Sequence, residues 1–101
     1  MNKFGLKDLD IELIIKIIQK YPQIKKVILF GSRAMGNYKP GSDIDLAICG
    51  NKIDTILTKL WGELENDTNL PYEIDLINLD DVKSEELKKH VADHGILIFG
   101  Q

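Results

Sequence analysis

Residues 43–48 read Asp-Ile-Asp-Leu-Ala-Ile, and no other stretch narrows the folds open to this chain so far. Ile44, Leu46 and Ile48 alternate with Asp43, Asp45 and Ala47, the two-residue period of a β-strand. On a strand the two aspartates share a face, with Cα atoms about 6.6–6.8 Å apart. Carboxylates held this way repel one another, and aspartate is a poor strand former. The segment therefore belongs to a sheet with one apolar face. Its other face is either solvated or compensated by a cation. Hard oxygen ligands suit Mg²⁺ or Mn²⁺, and two such ions about 3.5–4 Å apart can share carboxylates during phosphoryl transfer.

The rest of the chain supplies the layers around that strand. Leu9, Leu13, Ile14, Ile17, Ile18 and Tyr21 follow helical spacing up to Pro22. Lys26 to Phe30 is a short β-rich run ending at Gly31, and Ser32 to Met35 makes a short helix stopped by Gly36. Asn37 to Ser42 is a loop. Helical spacing returns with Ile53, Ile56, Leu57, Leu60, Trp61 and Leu64, which places Trp61 in the core. Tyr72 to Asn78 is a third strand, Ser84 caps a last helix ending near Gly95, and Ile96 to Phe99 adds an edge strand. The order is that of a small α/β sheet covered by helices, one domain over residues 1–101.

Two further features lie near the acidic strand. Gly31-Ser32 stands where a strand gives way to a helix, and free N–H groups there, with a glycine beside them, form a ready anion site. Arg33 and Ser42 are additional phosphate contacts in reach, Arg33 as a clamp or simply as a surface cation. Asp75 sits in a second acidic strand segment, Glu73-Ile74-Asp75-Leu76, and its apolar neighbours argue for the more buried of the two acids. His90 and His94 are four apart on the last helix, but without a third ligand they read as a solvated face.

Composition excludes several classes. Thirteen basic against sixteen acidic residues give a net charge of -3, the wrong balance for a duplex-binding protein. Cys49 is the single cysteine, so no internal disulfide forms; it reads as a small buried hydrophobe, and the compartment as a reducing cytoplasm. The apolar run Ile11–Ile18 is too short for a bilayer span.

Gly31-Ser32, ten intervening residues and Asp43-Ile44-Asp45 together make the pattern GSX10DXD, and it resembles the DNA polymerase β-like nucleotidyltransferase superfamily. The fuller string GSRAMGNYKPGSDIDLAI is similar to the minimal nucleotidyltransferase (MNT) branch, found beside HEPN-domain proteins. The resemblance implies a mixed sheet flanked by helices. It also implies Gly31 and Ser32 on the triphosphate, Asp43 and Asp45 on two Mg²⁺ ions (Mn²⁺ in their place), and Asp75 as third ligand and base. The activity it implies is transfer of AMP from ATP to a tyrosine of a HEPN toxin, by a protein adenylyltransferase antitoxin. A small-molecule nucleotidyltransferase with a partner subunit, and an antitoxin that acts by binding alone, are the alternatives. A chain of this size is short of material for an acceptor pocket. Ile11 and Ile15, added to the core stripe of the first helix, predict an interface there with a second copy or a HEPN-like chain, the alternative being that the chain's own Phe4 and Leu6 cover them.

Overall fold

The apolar runs become four strands in a computed structural model, which describes residues 4–100. In chain order the elements are α1 (Asp8–Ile18), β1 (Ile24–Phe30), α2 (Ser32–Met35), β2 (Ile44–Gly50), α3 (Leu57–Asn66), β3 (Ile74–Asn78), α4 (Glu85–His94) and β4 (Ile96–Phe99). Short 3₁₀ turns at Ile53–Thr55 and Leu79–Asp81 lead into α3 and α4. Across the sheet the order is β3-β2-β1-β4. β1 pairs antiparallel with both β2 and β4, whereas β2 and β3 run parallel with α3 as the crossover. The sheet is mixed and flanked by helices.

Alternation along the strands divides the interior in two. On one face Val27, Leu29, Ile44, Leu46, Ile48 and Ile74 pack against α1 and α3 through Ile14, Ile17, Ile18, Leu60 and Leu64. On the other face Phe30, Ala47 and Val91 form a smaller cluster under α4, with Ile28, Ile77, Leu79 and Leu87 at its margin. Ser84 caps α4, its hydroxyl accepting from the Leu87 N–H at 3.1 Å. Asp45 and Asp75 lie on this second face, on the half that α4 leaves open. The aspartates are thereby kept out of the main core.

Three expectations about packing are corrected. Leu9, assigned to the core stripe of α1, is 74 % exposed, whereas Ile14, Ile17 and Ile18 of the same helix are buried. The apolar surplus on α1 is therefore Leu9. Ile11 packs against the main core beside Phe4 and Leu6, and Ile15 is half-buried, which removes the ground for an interface built on that pair. Trp61 is 46 % exposed at the rim of α3 rather than in the core. Tyr21 is buried as expected, though beyond the helix end, with its hydroxyl bonded to the Glu63 carboxylate of α3. Burial, and then that hydrogen bond, push its phenol up to about 12. No helix among the described residues is long and apolar enough to cross a membrane.

Candidate active site

The turn after β1 comes first. Phe30 is the register partner of Asp45, so the chain leaves β1 directly beside that carboxylate. Gly31 makes the exit with φ +77°, a conformation L side chains rarely adopt, and a Cβ there would overlap the Asp45 carboxylate oxygen. Ser32 then opens α2, a single helical turn whose leading N–H groups have no acceptor inside the helix. The Gly31 N–H points the other way and donates to Nε2 of His90 on α4, 3.0 Å away. His90 also stands edge-on to the Phe30 ring, centroids 6.1 Å apart. Sequence reasoning placed His90 on a solvated face. The fold instead makes it a half-buried brace for the glycine turn, and only the packing of α4 over β1 reveals this.

The carboxylates are brought together by register. In the parallel ladder Asp45 pairs with Asp75, side by side on the open face. Burial, then the charge of and hydrogen bond to Asp75, and finally the charge of Asp43 lift the Asp45 carboxyl to about 6. Glu73 and Asp75 are both exposed, so burial does not distinguish them, and in register it is Asp75 that lies opposite Asp45. Asp43 stands exposed at the entry to β2, close enough to act on the charge of Asp45. Among the described residues, no three His, Cys, Asp or Glu side chains converge into a ready cage for a metal ion. The expected set of three carboxylate ligands is thus an Asp45–Asp75 pair with Asp43 at its rim. That donor set fits Mg²⁺, which takes one or two carboxylates and fills its octahedron with phosphate oxygens and water.

Arg33 departs from the sequence expectation. It is 2 % exposed, with Nε and Nη2 donating to the Ser42 carbonyl at 3.1 and 2.9 Å and Nη1 to the Phe4 carbonyl at 2.9 Å. Its guanidinium lies between the rings of Tyr38 and Tyr72, 5.2 and 4.7 Å from their centroids. Buried, and with three of its N–H groups on backbone carbonyls, Arg33 anchors the loop that leads to Asp43 rather than reaching out as a surface clamp. Ser42 serves the same loop: its hydroxyl accepts from the Lys39 N–H at 2.8 Å. His94 is exposed beside His90, and Cys49 is buried, its thiol pushed up by burial and by the charge of Asp80. Neither joins the site.

The chain that carries this site is similar in sequence and fold to known proteins. The sequence profile described as Polymerase beta, Nucleotidyltransferase matches residues 12–101. The chain belongs to this nucleotidyltransferase family. Among its relatives is the protein adenylyltransferase MntA of Aphanizomenon flos-aquae, 46 % identical over 37 residues. That match spans 37 % of this chain and only 25 % of the relative. In structure, the chain superposes on one from a toxin–antitoxin complex with AMP-PNP, with a TM-score of 0.74, 29 % identity, and coverage of 90 % of this chain and 73 % of that one. It is also similar to a chain of the tri-AMPylated Shewanella oneidensis HEPN toxin in complex with MNT antitoxin. There the TM-score is 0.71 and the identity 26 %, over 95 % of this chain and 74 % of that one.

Proposed function

We propose that this nucleotidyltransferase moves AMP from ATP to a hydroxyl, and that the hydroxyl belongs to a tyrosine of a HEPN-domain toxin, in the cytoplasm. The observation that carries the reading is the contact of the Gly31 turn with Asp45 while register sets Asp75 beside it. Donor phosphates and acceptor oxygen thereby meet over one pair of carboxylates. The relatives support the acceptor: one is named a protein adenylyltransferase, and another forms a complex with an AMPylated HEPN toxin.

Ser32 and the leading N–H groups of α2 receive the β- and γ-phosphates, and Gly31 lets them approach the backbone. Asp43, Asp45 and Asp75 are the carboxylates that would hold the divalent cations. Two Mg²⁺ ions, or Mn²⁺, supply charge stabilisation on the attacking and leaving oxygens when bound. The acceptor oxygen bonds to the α-phosphorus while the bond from that phosphorus to the α,β-bridging oxygen breaks, releasing pyrophosphate. Asp75 takes the proton of the attacking hydroxyl and passes it to water. Arg33 keeps the Asp43 loop in place, and His90 keeps the glycine turn in place.

The test is the intact mass of a HEPN-domain chain co-expressed with this protein. The reading expects whole AMP increments on that chain, lost when its modified tyrosine becomes phenylalanine. An unmodified chain that still binds tightly would instead establish an antitoxin acting by occlusion.

A further inference from the structure

The far side of Asp75 carries a groove that the donor half of the site does not use. β3 is an edge strand. The Glu73 carbonyl accepts from the Ile44 N–H across the ladder, so by alternation the backbone groups of Ile74 point away from β2. α3 covers them with side chains: the indole N–H of Trp61 donates to the Ile74 carbonyl at 2.9 Å, and the Glu65 carboxylate accepts from the Ile74 N–H at 2.8 Å. Trp61 is thereby held by its polar end while nearly half of its surface stays open to solvent. The ring and Asp75 together line two adjoining hollows of about 280 and 180 Å³. The larger is walled by Leu57, Thr58 and Leu76, the smaller by Glu65 and Glu73.

We infer that this groove seats the acceptor's aromatic side chain, with Trp61 as its stacking wall. The inference rests on the nucleotidyl-transfer reading above and adds where the acceptor sits and what recognises it. Across the sheet the Gly31 turn leaves β1, Asp45 is on β2, Asp75 is on β3 and Trp61 lies beyond β3. In-line displacement puts the attacking oxygen opposite the leaving one. With the triphosphate on the Gly31 side, pyrophosphate departs toward β1 and the hydroxyl must arrive from the β3 edge, past Trp61. A flat indole tethered through its N–H favours a ring as the group carrying that hydroxyl. Glu65, Glu73 and Asp75 make the rim acidic, which suits an acceptor tyrosine flanked by lysine or arginine. Trp61 is a specificity-determining residue here and takes no part in the bond changes.

Trp61 is the sole tryptophan of this chain, so with a HEPN-domain chain whose own tryptophans are replaced by phenylalanine its fluorescence reports on this groove. Saturating Mg–ATP should leave its emission nearly unchanged, whereas the co-expressed HEPN-domain chain should shift it to the blue and protect it from iodide. A full blue shift with Mg–ATP alone would put the base in the groove and overturn the inference. Trp61→Ala should raise the acceptor KM by about tenfold, with Mg–ATP affinity unchanged and most of the loss recovered in Trp61→Phe. Unchanged acceptor KM in Trp61→Ala, with wild-type labelling intact, overturns the inference while sparing the proposed function. Wild-type protein that labels no tyrosine overturns both.

Discussion

Asp45 is held at a cost to the fold, and removing its charge should show it. Its carboxyl is lifted from 3.8 to about 6, by burial first and then by Asp75 and Asp43. At about 1.36 kcal/mol per unit this sets a ceiling of about 3 kcal/mol. The site faces solvent, and screening there reduces the penalty to about 1–2 kcal/mol. The sign follows from linkage. Below the unfolded value the carboxyl is neutral in both states and costs nothing. As pH rises from about 4 to about 6 the unfolded chain ionises first, and the penalty grows until the folded carboxyl has ionised as well. Asp45→Asn should therefore match the wild type in EDTA near pH 3.5 and exceed it above pH 6, by roughly 5–10 °C in Tm. The assay is thermal unfolding across that pH range, with EDTA and again with Mg–ATP. Mg–ATP should stabilise the wild type and leave Asp45→Asn nearly unmoved. An advantage for the variant that is the same at every pH, or a variant less stable than wild type in EDTA at pH 7, would refute this account of Asp45.

Gly31→Ala should both destabilise the fold, by about 1–3 kcal/mol, and abolish transfer, because the added Cβ meets the Asp45 carboxylate; denaturant melts and turnover check each part. His90→Ala should cost about 1 kcal/mol and raise the KM for ATP by loosening the glycine turn, while His90→Gln, whose side-chain carbonyl can accept from the Gly31 N–H, should recover much of both. A KM that stays put in His90→Ala would leave His90 with a packing role only. Asp75→Asn should reduce turnover far more than nucleotide affinity, and Glu73→Gln should be nearly silent; the reverse pattern in steady-state kinetics would transfer the base to Glu73.

The parts of this fold written as local periodicity were legible before any coordinates. β2 is an alternation, α2 ends at Gly36, α4 begins at Ser84, and the GSX10DXD spacing links two elements that are close in sequence. What the sequence hid depends on contacts between distant segments. Arg33 reads as a phosphate clamp because its position beside Ser32 is visible, whereas the carbonyl of Ser42 and the rings of Tyr38 and Tyr72 that absorb it converge only after folding. Trp61 fits an apolar helical stripe, yet its N–H is drawn to the open edge of β3, and an edge strand cannot be told from a central one by composition. Apolar neighbours suggest that Asp75 is more buried than Glu73, yet both are exposed; the parallel register that sets Asp75 opposite Asp45 is a property of the β2–α3–β3 crossover. His90 needed the docking of α4 over the end of β1, because the Gly31 N–H it accepts from lies 59 residues away in sequence.

The central claim is that the Gly31 turn and the Asp45–Asp75 pair transfer a nucleotidyl group. ATP labelled separately at the α- and γ-phosphates, incubated with Mg²⁺ and the co-expressed HEPN-domain chain, tests it most directly. The account predicts that α-label enters that chain, that γ-label is recovered only in pyrophosphate, and that Asp45→Asn transfers neither. Incorporation of γ-label, or α-label transferred by Asp45→Asn at the wild-type rate, would contradict it.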